Sequence, residues 1–139
     1  MRIKQLSIFV ANEKGTLADV TRIFRDNEID IRALSVYDTV DYGILRTVVS
    51  DPEKAVEVLA KAGIVSKLSD ILTINPEDRR GSLNDIFTLL GDNDINIDYI
   101  YSFLAREDGF QLFVLKVSDK DKAEELLQKN GVEIIREIL

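Results

Sequence analysis

Apolar and polar residues alternate over residues 3–10 (IKQLSIFV), with Leu6, Ile8 and Val10 on one face and Gln5 and Ser7 on the other. That period of two predicts a half-buried strand, broken only where Phe9 stands on the polar face. A short loop from Ala11 to Gly15 follows. The period then changes: Leu17, Val20, Ile23 and Phe24 recur at helical spacing and form one apolar stripe. Thr16, with Asp19 three residues on, predicts a capping-box start with Asp in place of the usual Glu or Gln. Asn27 predicts a left-handed stop. Residues 29–37 (IDIRALSVY) read as a second strand, the polar stretch Asp38 to Asp41 as a hairpin and residues 43–49 (GILRTVV) as a third strand. Ser50 or Asp51 is placed to cap the next helix. Pro52 takes its first position, where a missing N–H costs nothing. That helix carries Ala55, Val56 and Leu59 inward and ends near Gly63, and residues 64–68 return as a strand. The order is β-α-β-β-α-β, the ferredoxin-like unit.

The pattern then starts again. Six of the seven glycines pair up, 15 with 81, 43 with 109 and 63 with 131, at spacings of 66, 66 and 68. Residues 15–31 laid on 81–97 match at seven of 17 positions, and residues 49–63 laid on 117–131 match at nine of 15. Two blocks in the same order argue for an internal duplication. The slip of two between the blocks predicts a longer hairpin in the second copy. The copies divide into residues 1–69 and 70–139. No Gly/Ser/Pro-rich linker separates them: Ile64 to Ile74 (IVSKLSDILTI) runs from one copy into the next, with only Ser69 and Asp70 offering a turn. A lone unit of about 70 residues buries only about 60% of its chain surface. The two are therefore expected to pack on each other.

Composition narrows the chemistry. The 139 residues include no Cys and no His. That removes thiolate nucleophiles, disulfides, Cys-ligated metal sites, the Ser-His-Asp triad and imidazole general bases. Zero Cys suits a cytoplasmic protein. Residues 1–14 lack a long apolar run and a small-residue cleavage site, so no signal peptide is expected, and no run is long enough to span a membrane. The net charge of −7 speaks against a nucleic-acid binder. It sits wholly on the second copy: residues 1–69 hold 10 basic and 10 acidic side chains, and residues 70–139 hold 8 and 15. Two motifs dissolve on inspection. Asp92-Asn93-Asp94-Ile95-Asn96 looks like a calcium loop, but Ile97 stands at its sixth position and Phe103 at its twelfth, where Gly and Glu are required. Arg79-Arg80-Gly81-Ser82 looks like a basic phosphorylation context but falls on a helix start of the repeat.

The repeat resembles a free-standing tandem ACT-domain protein over essentially its whole length. The segments that carry the resemblance are Asn12-Glu13-Lys14-Gly15-Thr16-Leu17 followed by Ile29-Asp30-Ile31, and Arg80-Gly81-Ser82-Leu83 followed by Ile95-Asn96-Ile97-Asp98-Tyr99. They follow the family's strand, loop glycine, small residue, aliphatic, helix and "I-N-I" strand start. Lys14 and Arg80 stand where the family often has Pro, and Glu28 and Asp94 where it often has Gly. The resemblance implies an α+β fold of two antiparallel four-stranded sheets, each with its helices on one face, paired side by side. It also implies a regulatory role with a free amino acid as effector, and a homodimer that controls some enzyme. The effector is expected where the loop and helix start of one unit (Asn12, Gly15, Thr16 and Leu17, or Gly81, Ser82 and Leu83) meet the second-strand start of another (Asp30, Ile31 and Arg32, or Asn96, Ile97 and Asp98).

These positions also have a rationale of their own. A helix start presents free N–H groups and a partial positive charge to a carboxylate, and Gly lets the backbone come close. Asp30 or Asp98 offers an acceptor for an ammonium group. The plainer alternative is a strand-to-helix turn with no ligand, which would leave a structural or dimerisation module. Tyr99, Tyr101 and Phe103 share one strand face, matched by Ala33, Ser35 and Tyr37. They read either as a packing face or as a wall for a ligand side chain. No catalytic residue, metal ligand, cofactor, nucleic-acid contact or membrane contact is expected.

Overall fold

The computed structural model describes residues 3–38, 41–105 and 109–137. The chain divides into two compact units, Lys4–Asp70 and Ile71–Leu139. The first unit runs β1 (Lys4–Ala11), α1 (Thr16–Asp26), β2 (Ile31–Asp38), β3 (Tyr42–Val49), α2 (Pro52–Lys61) and β4 (Ser66–Asp70). The second repeats the order as β5 (Leu72–Asn75), α3 (Ser82–Asp92), β6 (Ile97–Leu104), β7 (Gln111–Val117), α4 (Lys120–Lys129) and β8 (Glu133–Ile134). Ile71 alone stands between β4 and β5. The sheets have the orders β2-β3-β1-β4 and β6-β7-β5-β8, with antiparallel neighbours throughout. This is the expected ferredoxin-like architecture, twice. The tips of both hairpins fall partly outside the described residues.

Register explains why the helices lie on one face. Leu6, Ile8 and Val10 alternate along β1, and Ile8 pairs with Leu45 of β3, so these side chains share a face. Val20 and Phe24 of α1, with Ala55 and Leu59 of α2, pack on that face and are buried with it. The second core repeats the arrangement with Leu72, Ile74, Leu115, Ile86, Leu90, Ala123 and Leu127. Each fully buried side chain of this size contributes about 1.5–3 kcal/mol. The opposite face is less bare than strand alternation suggests. Gln5, expected on a polar face, is fully buried, and its amide donates to Ser7 Oγ at 3.2 Å.

Two helix ends and a strand start correct sequence expectations. Thr16 is not a cap. Gly15 is the N-cap of α1 at φ 86°, no side chain caps the helix, and Thr16 Oγ1 donates backward to the Glu13 carbonyl. The capping-box reading fails because the left-handed glycine turns the chain one residue earlier. Asn27 is not the left-handed stop either: its φ is −109° and its side chain donates to the Ile23 carbonyl. The left-handed residues are Glu28 (φ 57°) and Asp94 (φ 59°), one step later in each unit, where the ACT pattern often has Gly. The third difference is at the strand starts, since Ile29 is buried but β2 begins at Ile31. For α2, Asp51 is the cap, accepting from the Lys54 N–H at 3.1 Å.

The second unit holds an ionic cluster on α4 that has no counterpart among the described residues of the first. Glu124 on α4 lies 3.4 Å from Lys120 and also pairs with Arg136. Burial pushes its carboxyl up, but the Arg136 hydrogen bond and the two cations outweigh this and hold it below the usual carboxylate value.

Two stability predictions follow from these features. Left-handed geometry costs an L residue about 1–2 kcal/mol, and the looser unfolded chain of a Gly variant takes back about 0.4–1 kcal/mol. Glu28→Gly and Asp94→Gly are therefore each expected to raise the thermal midpoint by a few degrees. Glu124 has a depressed folded-state value, so its contribution is present above the ordinary carboxylate value and lost as pH falls through the folded one. Glu124→Gln should weaken the protein at pH 7 and flatten the fall of stability in acid, as read by urea unfolding at both pH values.

Candidate functional site

The first helix of each unit starts differently from the second. Asp51 and Asp119 cap α2 and α4 by accepting from the N–H groups of Lys54 and Lys122. Gly15 and Gly81 open α1 and α3 at φ 86° and 88°, with no side-chain cap. The loops before them share one backbone pattern. Glu13 N–H donates to the Ala11 carbonyl and Arg79 N–H to the Glu77 carbonyl, both at 2.9 Å. Thr16 N–H then donates to the Glu13 carbonyl and Ser82 N–H to the Arg79 carbonyl. Each unit therefore builds the same turn and leaves a helix start without a side-chain acceptor, which suits an anion.

Within one unit the expected site residues fall into two groups. Ala11 pairs with Tyr42 and Asp38 with Gly43, so the loop holding Asn12, Gly15, Thr16 and Leu17 lies at the hairpin end of the sheet. Asn12 Nδ2 donates to Asp38 Oδ1 there at 2.9 Å. Ile31 pairs with Val49, so Asp30, Ile31 and Arg32 lie at the other end. An 11-residue helix, about 16 Å long, separates the groups. Gly81, Ser82 and Leu83 are separated from Asn96, Ile97 and Asp98 in the same way.

The strand starts are tied down by a motif that sequence reasoning missed. Asp30 N–H donates to Ser50 Oγ at 2.9 Å and Ser50 N–H returns a bond to the Asp30 carbonyl. Asn96 and Ser118 exchange the same two bonds. The signal was present, because Ser50 and Ser118 are identical in the aligned blocks. Ile31 and Ile97 pack against the two cores. The side chains differ: Arg32, mostly buried, lies 3.9 Å from Asp30, whereas Asn96 Nδ2 donates to Asp98 Oδ1 at 2.9 Å. Leu17, Asp30, Asn96 and Asp98 are exposed and Ser82 is buried.

In the second unit two depressions flank the loop before α3. One, about 550 Å³, lies toward α4 and β8 and is floored by Ile86, Leu89 and Val132. The other, about 640 Å³, lies toward the β6–β7 hairpin, takes in Gly81, Ser82 and Leu83, and has Leu104, Phe110 and Phe113 as its apolar wall. A depression of about 450 Å³ in the first unit, lined by Thr16, Ile23 and Ile64, matches the first of these. Arg79 braces the loop, with Nε 2.8 Å from Glu77 and a terminal nitrogen 2.8 Å from Asp85. The Asp85 and Glu77 hydrogen bonds hold its guanidinium above its usual value. In the first unit Asp19 takes Arg22 instead, at 2.9 Å.

Tyr99 and Tyr101 stack with centroids 6.5 Å apart and, with Phe103, are half-buried on the sheet face away from the helices. None of the three lines either depression of the second unit. Among the described residues no acidic cluster is placed to hold a metal ion, and no helix is long and apolar enough to cross a membrane.

A duplicated ferredoxin-like unit with a glycine-headed helix start, and a strand start that reads Ile95-Asn96-Ile97 in one copy and Ile29-Asp30-Ile31 in the other, defines a pair of ACT domains. The chain belongs to the ACT domain pair family, which matches residues 1–138. It is 32% identical to protein BT0572 from Bacteroides thetaiotaomicron, with a TM-score of 0.88 over 98% of this chain and 93% of that one. Its fold is also similar to the regulatory subunits of aspartate kinase from Thermus thermophilus (12% identical, TM-score 0.64, 94% of each chain) and Thermus flavus (17%, 0.62, 92% of this chain and 90% of that one). No curated protein matches it.

The serine bridge makes a prediction. Ser118→Ala leaves the Asn96 N–H without its acceptor, at a cost of about 1 kcal/mol. Chemical unfolding should show that loss, and Ser50→Ala should show a similar one.

Proposed function

We propose that this chain is a non-catalytic regulatory protein that senses a free amino acid. Residues 1–69 and 70–139 are read as its two ACT units. The effector's carboxylate rests on a glycine-headed helix start, and its ammonium group meets Asp30 or Asp98 at the strand start of a neighbouring unit, in the same chain or in the second copy of a homodimer. The observation that carries the reading is the contrast in capping. Each unit caps its second helix with Asp and leaves its first to a left-handed glycine. The separation of the two residue groups within a unit supports a shared site. So does the energy scale. A carboxylate at a helix start contributes about 0.3–1 kcal/mol when exposed and about 2 kcal/mol when partly buried. A millimolar ligand needs about 4 kcal/mol, so one helix start is not enough.

An effector that bridges two units stabilises one arrangement of them. A partner enzyme that reads that arrangement is then controlled by the ligand's differential affinity for the two states. The reading assigns no catalytic residue and no cofactor, and places the protein in the cytoplasm. A second reading, an association module without a small-molecule ligand, draws on the exposed Leu34 and Val36 of the edge strand β2.

A thermal-shift screen of the twenty amino acids separates the two. At about 100 times its dissociation constant a ligand adds about 2.7 kcal/mol, a shift of several degrees. If none of the twenty moves the midpoint at millimolar concentration, the sensor reading is wrong. A Cβ at residue 81 has room, but φ 88° does not suit an L residue. Gly81→Val should shift the turn, lower the basal midpoint and abolish any ligand shift at that site. Unchanged binding by this variant would mean that the helix start of α3 is not the site.

A further inference from the structure

The last strand is held differently in the two units. In the first, β4 pairs with β1 from Ile8 with Ser66 through to Lys4 with Asp70. In the second, β8 pairs with β5 at Ile74 with Ile134 and Asn75 with Glu133, and the Ile135 N–H then donates to the Thr73 carbonyl at 2.8 Å. The side chains change as well. At the spacing of 68 that relates the second halves of the units, Val56 of α2 and Leu68 of β4 correspond to Glu124 of α4 and Arg136. Val56 and Leu68 pack on the first core. Glu124 and Arg136 are ion-paired instead, and Lys120, standing for Pro52, lies 3.4 Å from the same carboxylate. Among the described residues no ion pair joins β4 to α2. Ile134 packs on the second core, so the residues that depend on the ion pair are those after it. A second feature lies beside the same residues. The register places Ile135 opposite Thr73, with both side chains on one face. Thr73 is buried, and its Oγ1 has no hydrogen-bond partner among the described residues. An unpaired buried hydroxyl works against the closed state, because lifting Ile135 lets water reach it.

We infer that residues 135–137 form a strap whose closure is electrostatic and therefore conditional: Arg136 clasps it to Glu124, and a rise in ionic strength opens it while β4 stays shut. The first unit shows that the fold closes at this place without charge, so the ion pair is not needed to build the strand. What the charges add is a dependence on the solution. Glu124 is the inner half of the clasp, with its side chain 13% exposed. Arg136 is 54% exposed, within reach of dissolved ions. The apolar packing of Val56 and Leu68 is not weakened by salt in this way. Opening the strap uncovers the edge of β5 at Thr73. It also loosens the wall that Val132 and Glu133 give to the depression of about 550 Å³. The inference stands apart from the sensor reading, because the strap responds with no effector bound.

Hydrogen exchange of the full chain, read by mass spectrometry, tests this. The peptide covering residues 132–137 reports the strap, residues 64–70 give the matching strand of the first unit, and residues 84–92 of α3 report the rest of the second unit. Between about 10 mM and about 1 M sodium chloride the Debye length falls from about 30 Å to about 3 Å. Over that range exchange at residues 132–137 should speed up severalfold, and the two reference peptides should keep their rates. Glu124→Gln should exchange about tenfold faster at residues 132–137 already at low salt, and should lose the salt response. Glu124→Val with Arg136→Leu, which copies the first unit, should hold the strap closed at both salt concentrations. Thr73→Val should slow the exchange. A salt-independent rate at residues 132–137, an equal response at residues 64–70, or a Glu124→Gln variant that exchanges like the unmodified protein would each overturn the inference. So would faster exchange in Thr73→Val. An equal speeding of residues 84–92 would show that the unit opens as a whole and that there is no strap. None of these outcomes bears on whether an amino acid binds.

Discussion

The contact between two helices and a single face of a four-stranded sheet governs each unit. Phe24 and Leu59 in the first core, and Leu90 and Leu127 in the second, close that contact with no residual exposure beyond 1%. Once those side chains are committed, the chain has little freedom elsewhere. The first helix must begin at the hairpin end of the sheet and finish at the other, because its apolar stripe runs the length of the strands beneath it. The loop glycines and the second-strand starts are thereby sent to opposite ends of the unit. A site that needs both groups has to be composite, and this follows from packing alone.

The backbone accommodates that layout at a few costly residues. Gly15 and Gly81 bear the left-handed turn into the first helix without a steric penalty. Glu28 and Asp94 bear a similar turn on leaving it, and do so with side chains attached. The serine bridges from Ser50 and Ser118 then fasten the strand starts directly after those strained residues. Strain and fastening sit within three residues of each other in both copies. This is consistent with a strand start whose position matters more than its local comfort.

Much of this was legible in the residues themselves. The alternation of Leu6, Ile8 and Val10, the stripe Val20, Ile23 and Phe24 (Leu17, read as part of it, is exposed), and the glycine pairs lead to the duplicated β-α-β-β-α-β order, because period and turn chemistry are local properties. The misreadings share a cause. Thr16 and Asn27 have the chemistry of caps, but the left-handed angle falls one residue outside each, on Gly15 and on Glu28. Gln5 alternates with apolar residues and looks like a surface residue, yet the structure buries it fully. At the candidate site, the glycines and strand starts were visible by pattern. Leu104, Phe110 and the Asn12–Asp38 bond were not, because the loop and the hairpin end are far apart in sequence and meet only through sheet register.

The bare helix starts have a practical side. Their attraction is to negative charge and to oxygen lone pairs, not to amino acids as such. Sulfate, phosphate and chloride compete for the same N–H groups, and dissolved salt screens what remains of the field. If an effector carboxylate rests there as proposed, an affinity measured in phosphate buffer reports an exchange of one anion for another. The same protein in a dilute buffer of bulky, poorly coordinating anions would present a different apparent strength for the same contacts.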